Sequence, residues 1–138
     1  MDYVRLGRAG VKVSRLCLGT AFRGYWNGHT EEATAIRTVE TAIDLGCNFI
    51  DCANYYYQGR CEDLLGKAIK GKREDLVVTT KVWSPIGEGP NDQGLSRLAI
   101  MREVERSLKR LQTDYIDIYL LHNWDPNTEL DETLKAFD

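Results

Sequence analysis

The chain is predicted to be an α/β domain of consecutive βα units around a parallel sheet, preceded by a β-hairpin. Two observations carry the prediction. Short apolar runs begin near residues 16, 48, 76 and 116, and each interval between them shows helical periodicity. At 138 residues the chain is long enough to bury a sizeable core. On pattern alone, a doubly wound sheet and a (β/α)₈ barrel both remain open. No G-x-G-x-x-G follows the first strand, which weakens the first option.

Each element has its local reason. Tyr3 to Leu6, the turn Gly7-Arg8-Ala9-Gly10 and Val11 to Val13 predict the hairpin. Leu16 to Gly19 lacks alternation, as a strand buried on both faces does. Residues 31–45 predict a helix with Ile36, Val39 and Ile43 on one face, Thr30 as N-cap and Gly46 as its stop. Phe49-Ile50-Asp51 is the second strand. A helix from about Glu62 to Lys70 follows, carrying Leu64, Leu65, Ala68 and Ile69.

Val77 to Val82 predicts the third strand, and Ser84 to Gly94 a loop rich in glycine and proline. Ser96 caps a third helix with Met101, Val104, Leu108 and Leu111 as its predicted apolar face. Ile116 to Leu121 is the fourth strand. Thr128 and Asp131 predict a capping box that opens a last helix. The expected organisation is one partial domain, with a hairpin over 1–14 and four βα units over 15–138, the fourth cut short.

Composition removes several function classes. Hydrophobic residues make up 43% and charged ones 28%, and 18 basic against 21 acidic side chains leave a net charge of −3. Neither a nucleic-acid nor a membrane partner is expected from that balance. Apolar runs are too short for a membrane span, no signal-peptide h-region opens the chain, and a cytoplasmic location is expected. Cys17, Cys47, Cys52 and Cys61 form no C-x-x-C pair, and His29 and His122 are the only histidines. Metal-ligand spacing is therefore absent. Cys17 and Cys52 fall in strand-like runs and are expected to be buried free thiols.

Four polar residues fall where predicted strands run out. Asp51 closes the second strand, Lys81 the third and His122 the fourth, and Tyr56 lies five residues past Asp51. The carboxyl ends of parallel strands are where α/β proteins assemble chemistry. A phenol titrates near ~10 unperturbed, and a neighbouring ammonium favours the phenolate. Tyrosine can then give a proton to a developing alkoxide, with a carboxylate keeping the lysine charged. Singly, each residue is more often solvated, paired or packing; jointly, they have complementary roles. Composition alone does not choose among Tyr55, Tyr56 and Tyr57.

The segment Gly46 to Tyr56, followed by Glu62-Asp63-Leu64-Leu65-Gly66, resembles the D-x-A-x-x-Y and E-x-x-L-G signature of the aldo-keto reductases. Val77 to Lys81 resembles that family's lysine strand. Gly89 to Arg97 and Leu111 to His122 extend the similarity in the same order. The resemblance implies a (β/α)₈ barrel, of which 138 residues make the N-terminal half, since such barrels take roughly 250 residues. It implies reduction of aldehydes and ketones with NADPH. Tyr56 would be the general acid, Asp51 and Lys81 its tuning pair, and His122 the residue orienting a small carbonyl substrate. Gly19, Thr20 and Asp51 match positions near the nicotinamide side of the cofactor.

Cys52 departs from the usual threonine. Most of the family's cofactor site lies on later strands, so little activity is expected from these residues alone. The alternative is a non-catalytic half-barrel that self-associates through open sheet edges or serves as a scaffold. An isomerase or aldolase on the same barrel would need a metal cluster or a Schiff-base lysine. The loop aromatics Tyr25, Trp26, Tyr55, Tyr56, Tyr57, Trp83 and Trp124 are expected either to wall a substrate pocket or to pack the loops.

Overall fold

The computed structural model describes residues 1–22 and 31–138. Strands β1 (Tyr3–Arg5) and β2 (Lys12–Ser14) pair antiparallel, Tyr3 opposite Ser14. Gly7, at φ +54°, supplies the left-handed residue of their turn. Tyr3 Oη donates to Gly46 O at 2.8 Å, and Ser14 N donates to Asn48 Oδ1 at 2.7 Å. These bonds seat the hairpin at the amino end of the next strands, away from the ends where Asp51 and Lys81 lie.

The main sheet holds β3 (Leu18–Gly19), β4 (Phe49–Asp51), β5 (Val77–Val82) and β6 (Ile118–Leu121), all parallel and in sequence order. Between them run α1 (Glu32–Asp44), α2 (Arg60–Ala68) and α3 (Arg97–Leu111); α4 (Leu130–Phe137) follows β6. A doubly wound sheet reverses its strand order at a switch point. No reversal occurs among the described strands. The core lies between the sheet and the helices, built from Val39, Ile50, Leu65, Ala68, Val78 and Leu111. Ile50 and Val78 are fully buried in it, and the alternate positions Asp51, Thr79 and Lys81 take the other face. That arrangement is one wall of a barrel.

Most predicted elements stand. β5 has the predicted bounds, Gly46 stops α1 at φ +92°, and the Ser96 side chain accepts from Ala99 N as the α3 cap. Leu64, Leu65, Ala68 and Ile69 are all buried. Gly66 lets α2 approach α3 closely: a Cβ there would sit 2.5 Å from Arg110 O.

Several expectations need correction. Only Leu18 and Gly19 form the first strand, and Leu16 and Cys17 are exposed, because β3 is an edge of the sheet. The strand buried on both faces is β4's neighbour β5 instead. α2 starts and ends two residues early, after the left-handed residues Tyr57, Gln58 and Gly59. The buried face of α3 is Ala99, Ile100, Glu103, Ser107 and Leu111, whereas Met101 is 42% exposed. A polar contact with α2 displaced the apolar stripe: Glu103 pairs with Arg110, which reaches Glu62. β6 begins at Ile118 rather than Ile116. The Thr128–Asp131 box does not form, since Glu129 is the N-cap and Thr128 Oγ1 donates to Asp125 Oδ2 at 2.8 Å. Glu129 and Glu31 make no side-chain cap; the predicted cap Thr30 lies outside the described residues.

Candidate active site

Asp51 is the last residue of β4, opposite Thr79 in the β4–β5 ladder. Its main-chain oxygen accepts from both Thr20 N and Thr20 Oγ1 at 3.0 Å, which braces it from the β3 side. Beyond the strand, Cys52 N donates to Thr79 O and Asn54 N to Lys81 O. These two bonds keep the loop against β5 as far as residue 54. Tyr56 N then closes a turn on Ala53 O, and Cys61 N returns to Tyr56 O. Tyr57 (φ +50°) and Gln58 (φ +53°) are left-handed without being glycine. Such backbone is sparsely populated and persists only where surrounding contacts hold it.

The ends of β4 and β5 meet at the Lys81 ammonium. Lys81 Nζ lies 2.6 Å from Asp51 Oδ1, 2.7 Å from Cys52 O and 3.3 Å from Tyr56 Oη. Its side chain is only 13% exposed, so the ion pair with Asp51 is partly withdrawn from solvent. A cation enclosed in this way needs close acceptors to offset its lost hydration, and three are present. Nζ also sits 5.0 Å from the Tyr56 ring centroid. His122 continues the β5–β6 ladder by donating from its backbone N to Val82 O at 2.8 Å. Its ring meets the Tyr56 ring edge-on, centroids 5.8 Å apart at 81°.

Burial holds His122 below the ordinary imidazole range; the Lys81 charge adds to this, and Asp51 works against it. The imidazole is therefore neutral at neutral pH. Its Nδ1 is buried with no hydrogen-bond partner among the described residues. A neutral imidazole offers one donor and one acceptor. In total the arrangement brings together a phenol, an ammonium, a carboxylate and an uncharged imidazole.

All four strand-end residues singled out from the sequence converge here. Gly19 is exposed at the end of β3, level with Asp51, and among the described residues no atom beyond its chain neighbours lies within 4 Å of where its Cβ would be. Thr20 is fully buried and its hydroxyl proton is spent on Asp51 O. Sequence reasoning missed Thr79, whose Oγ1 donates to Asp51 Oδ1 at 2.7 Å. Its place two residues before Lys81 puts it on the same strand face, but only the register opposite Asp51 singles it out.

Among the loop aromatics, Trp83 packs on Val82, Leu95 and Ile100, while Trp124 is 58% exposed. Tyr25 and Trp26 lie outside the described residues. Cys47, Cys52 and Cys61 are buried free thiols, and burial pushes Cys61 up to about 12. The described residues contain no cluster of metal-ligating side chains and no helix long and apolar enough to cross a membrane.

Residues 15–138 match the model of the aldo/keto reductase family. The uncharacterized oxidoreductase YrpG of Bacillus subtilis is 46% identical over 149 residues, covering 100% of this chain and 45% of that protein. The holo form of aldo-keto reductase AKR11C1 from Bacillus halodurans superposes with a TM-score of 0.87 at 38% identity, covering 99% of this chain and 45% of its own. The thermostable aldo-keto reductase Tm1743, solved with the inhibitor epalrestat, gives a TM-score of 0.83 at 40% identity over 99% of this chain and 48% of its own. Both structures are (β/α)₈ barrels, so the observed wall is part of such a barrel. The chain spans about half the length of the relatives it matches.

Proposed function

The chain belongs to the aldo/keto reductase family, and from that premise we propose that it carries the proton-donating site of an NADPH-dependent reduction of aldehydes and ketones to alcohols. The observation that supports this best is the Lys81 ammonium held between the Asp51 carboxylate and the Tyr56 hydroxyl. Tyr56 Oη gives its proton to the carbonyl oxygen as that oxygen becomes an alkoxide. The phenolate left behind lies beside Lys81 Nζ, which Asp51 Oδ1 also holds at 2.6 Å. His122, uncharged, hydrogen-bonds the same carbonyl oxygen and fixes its direction toward Tyr56.

NADPH, when bound, supplies the hydride. The open, exposed end of β3 at Gly19, level with Asp51, fits the approach of a flat nicotinamide ring. Gly19 and Thr20 would border it through their backbone, since the Thr20 hydroxyl proton is already committed. A cytoplasmic location belongs to the same proposal.

The test is NADPH consumption followed with 4-nitrobenzaldehyde. For the protein that contains these residues, turnover is expected with NADPH and is expected to fall below a hundredth in Lys81→Met. Undiminished turnover in Lys81→Met would remove the site from the chemistry. For the 138 residues by themselves, little or no turnover is expected, and a robust rate would contradict that.

A second reading concerns assembly. β3 and β6 are edges of the sheet, and Leu120 and Leu121 on β6 are 40% and 39% exposed. Unpaired strand edges template pairing with another chain. We therefore propose that the 138-residue chain self-associates through them. Sedimentation equilibrium is expected to give multiples of 15.7 kDa that rise with concentration; a strict monomer would refute it.

A further inference from the structure

We propose that Thr79 is a positioning residue that fixes the Asp51 carboxylate in the orientation from which it holds the Lys81 ammonium beside Tyr56. The inference rests on the reading of Tyr56 as the proton donor and assigns the site a fifth side chain. Thr79 Oγ1 lies 2.7 Å from Asp51 Oδ1, and Lys81 Nζ lies 2.6 Å from that same oxygen. Two donors on one carboxylate oxygen define both its position and the rotation of the carboxylate plane. That rotation is otherwise loose, because the terminal torsion of an aspartate has broad wells.

Thr79 is well suited to the task. It is the cross-strand partner of Asp51, so the two side chains share a face at the closest lateral spacing of the ladder. It is 3% exposed, which leaves its hydroxyl no solvent alternative to the carboxylate. Branching at Cβ restricts its χ1, so the donor is held in place at little entropic cost. Its main chain serves the same end: Thr79 O accepts from Cys52 N, and Cys52 O is another of the Lys81 acceptors. Valine at this position would keep the backbone bond, the β-branch and the strand propensity, and would delete only the hydroxyl.

The consequence for Lys81 is direct. Its Nζ has three acceptors, of which Cys52 O is fixed by backbone and Tyr56 Oη is the most distant at 3.3 Å. Once the carboxylate is free to turn, the ammonium follows its stronger partner, and its position beside Tyr56 Oη is lost first. Thr79 touches neither Gly19, Thr20 nor Tyr56 through its side chain in the described contacts and reaches the expected cofactor side only through the Asp51 carboxylate, so binding of either reactant should change little.

Two measurements test this on the chain with uniform ¹⁵N labelling and on the active protein. The Lys81 ammonium signal, assigned by its loss in Lys81→Met, should exchange slowly with water because three acceptors hold it. Thr79→Val is expected to speed that exchange about tenfold, the lower range for one hydrogen bond to a charged group. Thr79→Ser, which retains the donor, should stay within about twofold of the parent. In NADPH-dependent reduction, Thr79→Val should lower kcat about tenfold with KM values within about twofold, and Thr79→Ser should rescue it. An unchanged exchange rate in Thr79→Val, or a loss of kcat that serine fails to rescue, overturns the proposal. Faster exchange in Thr79→Val with no turnover in any variant, the parent included, leaves Thr79 its place and sinks the reductase reading instead.

Discussion

Replacing Tyr56 by phenylalanine is expected to lower the rate of carbonyl reduction by about 10²–10⁴-fold, the range assigned to a positioned general acid. That corresponds to about 3–5 kcal/mol of transition-state stabilisation. The substitution deletes one oxygen whose described partner is Lys81 Nζ at 3.3 Å. It retains the ring, which packs against the core cluster and meets the His122 ring edge-on. Folding stability should therefore change by no more than about 1 kcal/mol, the usual net value of one hydrogen bond. A large fall in kcat with an unchanged urea midpoint separates the chemical role from a structural one. His122 is a poor substitute donor. Burial and the Lys81 charge hold it uncharged, and a neutral imidazole gives up its remaining proton far less readily than an imidazolium. A Tyr56→Phe rate within tenfold of the parent would show that the proton comes from elsewhere.

The sequence was informative where one physical cause dominates. β5 is a six-residue run between a polar turn and a loop, with buried positions on both of its faces, and its bounds were readable to the residue. Ser96 was readable as a cap because a serine before a helical run has few other uses for its oxygen. Asp51, Lys81 and His122 were visible because polar side chains at the ends of apolar strands stand out, and Tyr56 was chosen among three tyrosines only through the family motif. What was hidden depended on contacts between elements. Met101 belongs to an apolar spacing, yet α3 turns a different face inward to bring Glu103 and Arg110 toward Glu62. Thr128 looked like a helix cap, but the buried Asp125 takes its hydroxyl and also accepts from Leu95 N. Thr79 was unremarkable among β-branched strand residues until its register opposite Asp51 was known. Cys17 looked buried because apolar spacing does not reveal which strand lies at a sheet edge.

That displaced face of α3 leads to the largest expected effect on stability: Arg110→Met should destabilise the fold by about 3–5 kcal/mol, the cost of removing one partner from a buried ion pair. Arg110 Nε lies 2.6 Å from Glu62 Oε2, its Nη2 pairs with Glu103, and Glu62 is completely buried. Thr80 Oγ1 donates to Glu62 Oε1 at 2.5 Å, which ties the α2–α3 contact to the strand that carries Lys81. Methionine can fill the space but leaves the Glu62 charge uncompensated. Against a typical total of about 5–15 kcal/mol, the loss would bring the domain near its threshold.

The pH dependence identifies the cause. Desolvation raises the Glu62 carboxyl above its ordinary value, while Arg110 and then the Thr80 hydroxyl pull it down. A carboxylate with a raised folded-state value binds its proton more tightly when folded. Its contribution is therefore fully present below the unfolded value and is lost as pH rises through the folded one. Without Arg110 the folded value climbs further, so the deficit of Arg110→Met should be greatest near pH ~8 and smaller near pH ~5, where Glu62 can take up a proton. Urea unfolding at both pH values measures it, with m unchanged. The paired variant Glu62→Gln with Arg110→Met removes both charges of that pair and keeps a partner for Thr80, while Glu103 retains Arg106 at 3.4 Å. It should recover more than half of the single-variant loss and show no such pH dependence, because the penalty is an uncompensated charge rather than a missing side chain. Equal deficits at both pH values, with no recovery in the pair, would mean that Arg110 stabilises the helix contact by packing alone.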